Sequence, residues 1–175
     1  RDNIWDFGGS GYPAAGGSGR LSDLWKFNTT TSMWTYMAGL TTRNNNGVYG
    51  VKGTPAAGNY PGSRNYSTIR IDFSGRLWVF GGYAYGEVGG QNYINDLWMF
   101  DPVISQWTWV SGAKAIDAWG VYGTKGTAAA ANVPGARGAV QAAWLDKQNN
   151  YWLFGGSGFD EASGVAGSLN DLWKY

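Results

Sequence analysis

One short text recurs three times along the chain, and its spacing restricts the possible folds more than any other feature. Ile4-Trp5-Asp6-Phe7-Gly8-Gly9, Leu77-Trp78-Val79-Phe80-Gly81-Gly82 and Tyr151-Trp152-Leu153-Phe154-Gly155-Gly156 are each a largely apolar run closed by two glycines. Each is followed by Asp-Leu-Trp, at Asp23-Leu24-Trp25, Asp96-Leu97-Trp98 and Asp171-Leu172-Trp173. Trp34 and Trp107 open a further run in the first two copies. Gly9, Gly82 and Gly156 stand 73 and 74 residues apart, and Trp25, Trp98 and Trp173 stand 73 and 75 apart. Self-similarity at a fixed period is the signature of a repeat architecture.

Four short strands fit each unit. Strand a, at 66–72 and 140–146, ends in turn residues (Asp72-Phe73-Ser74-Gly75 and Asp146-Lys147-Gln148-Asn149-Asn150). Strand b carries the double glycine, strand c follows the aspartate, and strand d is opened by Trp34 or Trp107. Short strands at regular spacing with turn residues between them indicate a sandwich, barrel or propeller. Repetition of a four-stranded unit selects the propeller. Composition agrees: 29 Gly suit tight turns, and 11 Trp and 11 Tyr favour strands. The expected fold class is all-β, a β-propeller of four-stranded blades.

The same residues resemble the kelch repeat, in particular the galactose-oxidase-like bacterial and protist kelch arrays. The resemblance rests on Phe80-Gly81-Gly82, Phe100 and Trp107, matched by Phe7-Gly8-Gly9, Phe27 and Trp34. Pro61-Gly62-Ser63-Arg64 and Pro134-Gly135-Ala136-Arg137 look like the usual lead into strand a. It implies a propeller of kelch blades, commonly six or seven. The strand order bcd, abcd, abc amounts to two and a half blades: b-c-d at 1–39, a complete blade at 64–112, and a-b-c at 137–175. Ten strands do not close a ring, so the expectation is a stretch of a longer kelch chain. A kelch repeat is about 50 residues, and the period of 73 leaves the surplus to long d–a loops at 40–63 and 113–136.

Period-2 alternation puts Trp78 and Phe80 on one face of strand b and Leu77 and Val79 on the other. The repeated residues Gly8, Gly9, Trp25, Trp34, Gly81, Gly82, Trp98, Trp107, Trp152, Gly155, Gly156 and Trp173 are expected to be framework, with the tryptophans in the core. Asp23, Asp96 and Asp171 could form a cation ring, but carboxylates at strand entrances more often accept hydrogen bonds from loop backbone N–H groups. No metal and no cofactor is expected.

Charge narrows the partners. Lys and Arg number 13 against 12 Asp and Glu, which leaves no electrostatic footprint for nucleic acid or an anionic membrane surface. No apolar run approaches the roughly 18–20 residues of a membrane span. The chain has no histidine, and so lacks the commonest general base and the commonest transition-metal ligand. The copper site of galactose-oxidase-like enzymes uses histidines, so a carbohydrate oxidase of that type is disfavoured. Asp160 and Glu161 are adjacent acids in a glycine-rich loop, a weak signal for acid–base work. No catalytic residue is assigned.

Antiparallel order sends the b–c loops (10–20, 83–93 and 157–168) and the long d–a loops to one side. Gly47-Val48-Tyr49-Gly50-Val51-Lys52-Gly53-Thr54 matches Gly120-Val121-Tyr122-Gly123-Thr124-Lys125-Gly126-Thr127 at seven of eight positions, whereas 40–46 and 113–119 share nothing. The expected picture is a fixed pedestal, with Tyr49 and Tyr122 on the neighbouring blade, carrying a variable tip. Rigid scaffolds present recognition on loops. Arg43, Asn45, Asp117 and Trp119 on the tips, with Tyr83, Tyr85 and Phe159 from the b–c loops, are the binding candidates. Exposed aromatic rings among Asn, Asp and Gly suit stacking on sugars or anchoring a protein. Asn28 and Asn65 match the glycosylation acceptor pattern. The function expected is a non-catalytic, extracellular or cell-surface binding scaffold for a protein or glycan ligand. The alternative is a structural subunit of an extracellular assembly or fibre, with copies of itself as partners.

Overall fold

The computed structural model describes residues 3–88, 90–139 and 142–175, which form an all-β structure without a helix. Val140, the expected start of a strand a, lies outside the described residues, as do Arg1, Asp2, Gly89 and Gln141.

Strand β1 (Asn3–Phe7) ends at the double glycine. Beyond that bend a short ribbon, β2 (Ser10–Gly11) against β3 (Gly19–Arg20), leads into β4 (Leu24–Asn28) and then β5 (Met33–Ala38). The first sheet has the antiparallel order β1-β4-β5. The next unit contributes β6 (Arg64–Asn65), β7 (Thr68–Ile71), β8 (Leu77–Phe80), β9 (Tyr83–Tyr85), β10 (Gln91–Tyr93), β11 (Leu97–Asp101) and β12 (Gln106–Ser111). Its main sheet runs β12-β11-β8-β7, and β10-β9-β6 form a small sheet at one end. The last unit has β13 (Arg137–Gly138), β14 (Ala142–Leu145), β15 (Tyr151–Gly158) and β16 (Gly167–Lys174), with β15 paired to all three others. The three main sheets hold strands b-c-d, a-b-c-d and a-b-c. The stretches expected as b–c loops are ribbons instead, because pairing resumes beyond the bend at Ser10↔Arg20, Tyr83↔Tyr93 and Ser157↔Ser168.

The double glycine is required by geometry. Gly81 and Gly82 have φ of 62° and 102°, repeated at 66° and 91° for Gly8 and Gly9, and at 66° and 101° for Gly155 and Gly156. This is left-handed backbone that L side chains resist. A Cβ on Gly81 would stand 2.5 Å from the Arg137 carbonyl oxygen, and one on Gly82 2.5 Å from that of Asn65. The bend lets the lead strand of a unit pass directly over it.

Two cores separate the three sheets. Leu77, Val79, Trp98, Phe100, Trp107 and Trp109 of the second sheet face Phe7 and Leu24 of the first. Ring centroids lie 5.3 Å apart for Phe7 and Trp107 and 6.3 Å for Trp5 and Phe100. On the opposite face, Trp78 and Phe80 pack with Ala143, Tyr151 and Leu153 of the third sheet. Burying an aromatic side chain removes ~150–250 Å² from water, roughly 4–6 kcal/mol as an upper bound. The tryptophans are not uniformly core, however. Trp98 and Trp107 are 0% and 2% exposed, but Trp34, at the position of Trp107, is 54% exposed. Trp25, Trp152 and Trp173 are half-buried. Trp34 lies on the face of the first sheet turned away from the core, which none of the described residues covers.

The long d–a segments are straps. Residues 47–60 leave the first sheet and run along the edge of β12 in the second. Gly53 N donates to Trp109 O at 2.8 Å, and Asn59 Nδ2 to Trp107 O at 3.2 Å. Tyr49, fully buried, packs 4.8 Å from Trp98 and 5.4 Å from Trp109, and Lys52 Nζ reaches the Gly112 carbonyl at 3.2 Å. The pedestal tyrosine therefore does sit on the neighbouring sheet. In the second strap Tyr122 lies 4.8 Å from Trp173.

Each strap ends in a clasp. Arg64's backbone belongs to the first unit: its N donates to Leu21 O and its O accepts from Gly9 N, at 2.9 and 2.8 Å. Its side chain belongs to the second. Nη1 donates to Asp96 Oδ1 at 2.6 Å and to Gly81 O at 3.0 Å, and Nη2 donates to Asp96 Oδ2 at 2.8 Å. The Tyr49 hydroxyl and Trp98 Nε1 each donate to the same Oδ2 at 2.7 Å. Arg137 repeats this, its backbone on Gly82 and Ile94 and its side chain on Gly155 and Asp171. Both Arg64 and Asp96 side chains are 0% exposed. Removing one partner of a buried pair strands the other, at a cost of about 3–5 kcal/mol. Arg64→Ala should lower the unfolding free energy by about that amount in chemical denaturation; a loss under about 1 kcal/mol would contradict the clasp.

Candidate functional site

The ribbons beyond the double glycines and the strap tips share one side of the molecule, where they are stitched together at each joint between units. Arg20 is the centre of the first joint. Its N donates to Asn44 Oδ1 at 2.9 Å, its Nε to Asn65 Oδ1 at 3.1 Å, and its Nη1 to Gln91 Oε1, while the guanidinium lies 4.6 Å over the Tyr83 ring. Sequence reasoning did not single out Arg20. The signal was its alignment with Tyr93, which does the same job one unit later: its hydroxyl donates to Ser157 Oγ at 3.4 Å.

The seven binding candidates divide between two joints, and several of them hold loops. Arg43 donates to Ser18 O at 2.7 Å and lies over Gly16, Gly17 and Gly19. Asn45 O accepts from Ser63 N at 2.9 Å, its N donates to Ser63 Oγ at 3.0 Å, and its Nδ2 donates to Thr42 O at 2.6 Å. Tyr83 is tied up by Arg20 and by an edge contact with Tyr93 at 5.6 Å. Tyr85 and Phe159 occupy matching places, where their backbone N–H groups donate to Ser63 O and Ala136 O at 3.0 and 2.8 Å. Asp117, with φ of 58°, accepts from Asn92 Nδ2 at 3.0 Å, while its Oδ1 is buried without a partner among the described residues. Burial raises its pKa, against the lowering effect of Asn92. Trp119 is 54% exposed and lies 3.7 Å from the Cβ direction of Gly164, in the ribbon of the next unit.

A cleft of about 520 Å³ opens at the first joint, between Asn44, Asn45, Asn46 and Gly47 of the strap tip and Glu87 of the next ribbon. Asn44 and Asn45 are engaged in holding the tip. Asn46 is exposed, and Glu87 pairs with Lys114 at 3.0 Å. Asn46 precedes Gly47 as Trp119 precedes Gly120, so this amide and this indole occupy equivalent places at successive joints. Asp160, near Trp119, caps a turn: its Oδ1 accepts from Ala162 N and Ser163 N at 2.9 and 2.7 Å, and these bonds lower its pKa. Asp160 and Glu161 are turn residues here. A second cleft, about 410 Å³ and more apolar, lies where β1, β7 and β14 converge, lined by Trp5, Ile71, Arg70, Phe73 and Trp144.

The three aspartates form neither a cation ring nor a set of backbone acceptors. Each accepts from the indole two residues on, at 2.7, 2.7 and 2.6 Å for Asp23, Asp96 and Asp171. Asp96 and Asp171 also take an arginine and a tyrosine, and no group of three metal-type ligands occurs among the described residues. Of the two acceptor-pattern asparagines, Asn65 Nδ2 donates to Ser10 Oγ at 2.9 Å, whereas Asn28 uses its Oδ1 to cap Thr30 and Thr31.

No family model matches the chain, and no curated protein matches it. Among solved structures, the one titled "Structure of YjhT" resembles it with a TM-score of 0.53 and 15% identity. The likeness covers 100% of this chain and 49% of that one, so the chain spans about half the length of that neighbour. At this identity the similarity concerns fold alone.

The clasp aspartate makes the fold acid-sensitive in a defined window. Burial would raise the Asp171 carboxyl, but hydrogen bonds from Arg137, Tyr122 and Trp173 bring it down to about 2 from an ordinary 3.8. A folded-state pKa below the unfolded one contributes stability that is fully present above about pH 4 and lost as the pH falls toward about 2. Asp146, held at about 2 by Trp152 Nε1 and Asn150, adds to the same window. Thermal midpoints measured between about pH 6 and 2 should fall steeply below pH 4 in the unaltered chain, and less steeply in Asp171→Asn.

Proposed function

We propose that this chain is part of a kelch-type β-propeller, its three main sheets being blades or part-blades, and that it is a non-catalytic binding scaffold. Support for the propeller comes from three sheets of one strand order, joined by straps of matching course and stacked through aromatic cores. The scaffold presents, at each joint, a cleft between a strap tip and the next ribbon. The ligand is a glycan or protein met outside the cell or at its surface.

One observation carries this reading. The straps are nearly identical where they pack on the next sheet and unrelated where they line the cleft, with Asn46 at one joint and Trp119 at the next. Framework positions are held by packing, so variation concentrated at a stitched, rigid rim is what a recognition surface requires. Uncharged amides, a carboxylate and an exposed indole suit a neutral, hydroxyl-rich ligand, whose C–H faces stack on the ring while its hydroxyls meet the amides. A structural subunit of an extracellular assembly is the second reading, favoured by the exposed strand β5, since unpaired edges template association.

Binding to an array of immobilised glycans tests the proposal. Trp119→Ala and Asn46→Ala should each weaken the retained ligand by about tenfold or more while the unfolding midpoint stays put. If no glycan is retained and the purified chain forms regular fibres unaided, the structural reading replaces this one.

A further inference from the structure

The outer face of the first sheet corresponds, position for position, to the surface that the first strap covers on the second sheet. Asp23 stands where Asp96 stands, Trp25 where Trp98 does, Trp34 for Trp107 and Tyr36 for Trp109. The local geometry is already in place. Trp25 Nε1 donates to Asp23 Oδ2 at 2.7 Å, as Trp98 does to Asp96. Phe27 and Trp34 lie 5.0 Å apart at 47°, against 5.1 Å and 51° for Phe100 and Trp107. No strap among the described residues covers it: Trp34 and Tyr36 are 54% and 41% exposed where Trp107 and Trp109 are 2% and 8%. Strand β5 pairs only with β4 among the described residues, whereas the equivalent edge of β12 carries a strap.

Charge points the same way. Asp96 and Asp171 each hold an arginine through both oxygens, and no cation among the described residues pairs with Asp23. Asp6 stands where the second sheet has Val79, and Asp23 adds to the burial that raises its pKa. The face thus presents two carboxylates and a set of aromatic rings, with no counter-ion among the described residues.

We infer that this face is the receiving half of a clasp and docks a strap from a further repeat unit of the same kind, carrying a tyrosine and an arginine fifteen residues apart. That spacing separates Tyr49 from Arg64 and Tyr122 from Arg137. The arginine takes both oxygens of Asp23, the tyrosine hydroxyl joins Trp25 on Oδ2, and the strap backbone pairs along β5 over Trp34 and Tyr36. A second folded copy of this chain is not the donor, because both of its straps are already closed on Asp96 and Asp171. The surface is preformed, so the incoming strap bears most of the ordering cost. The inference stands independently of the ligand clefts on the loop side.

The test adds a synthetic peptide with the sequence of residues 46–66 to the intact, isotope-labelled chain and follows the tryptophan indole N–H signals by NMR. Saturable shifts of Trp25 and Trp34 are expected. A peptide with Arg64→Gln should bind at least about tenfold more weakly, with the protein unaltered, and so should the normal peptide to an Asp23→Asn chain. Four results would overturn the inference: no saturable binding up to millimolar peptide, affinity indifferent to the arginine, shifts confined to Trp98 and Trp109 through exchange with the resident strap, or self-association that buries Trp34 without peptide.

Discussion

A fully buried arginine gripping a fully buried aspartate is the constraint on which the rest of this structure depends. Desolvating Arg64 works against its charge, and Asp96 more than restores it, so that its pKa ends raised. Burial, Asp96 and the hydrogen bond to it also push the Tyr49 hydroxyl well up, keeping it a neutral donor. Every polar atom at the heart of the clasp has a defined partner, which is the condition for a buried ionic network to hold a single arrangement. The planar fork of arginine is suited to this task in a way that lysine's point charge is not, because it engages two carboxylate oxygens and two carbonyls at once.

The clasp also explains the length of the strap. Arg64 is anchored by backbone to one sheet and by side chain to the next, so the strap must cross the joint. Doing so, it covers the edge of β12 and shields Trp107 and Trp109. Long connections without regular structure are usually mobile or functional. Here most of the length is spent on packing, and the two straps differ most in the seven residues ahead of each pedestal. The sequence differences are thereby concentrated on a narrow rim, held at the first joint by Arg20, Asn44 and Ser63.

Much of the frame was legible beforehand. The double glycines, strands b, c and d, the alternation of Trp78 and Phe80 against Leu77 and Val79, and the pedestal tyrosine on the next sheet follow from short-range pattern, which depends on backbone geometry and side-chain period. The site was less legible. Arg43 and Asn45 looked free and turned out to hold loops, while Arg20 looked ordinary and turned out to organise a joint. Trp34 matched Trp107 in sequence but not in burial. Pattern identifies equivalent positions, but burial depends on what packs against them.

By itself the sequence determined the unit: its period, its strand order, the glycine bends and the presence of two near-identical straps. These are properties of neighbouring residues along one chain, set by φ, ψ and hydrophobic alternation. The tertiary structure alone decided which charged groups pair between units. Arg64 meets Asp96, 32 residues away, because the strap delivers it there, and an arginine four residues into Pro-Gly-x-Arg gives no local sign of which carboxylate it will find. The same applies to Asp23. Its text is that of a clasp aspartate, and only the packing of the three sheets reveals that no arginine among the described residues pairs with it.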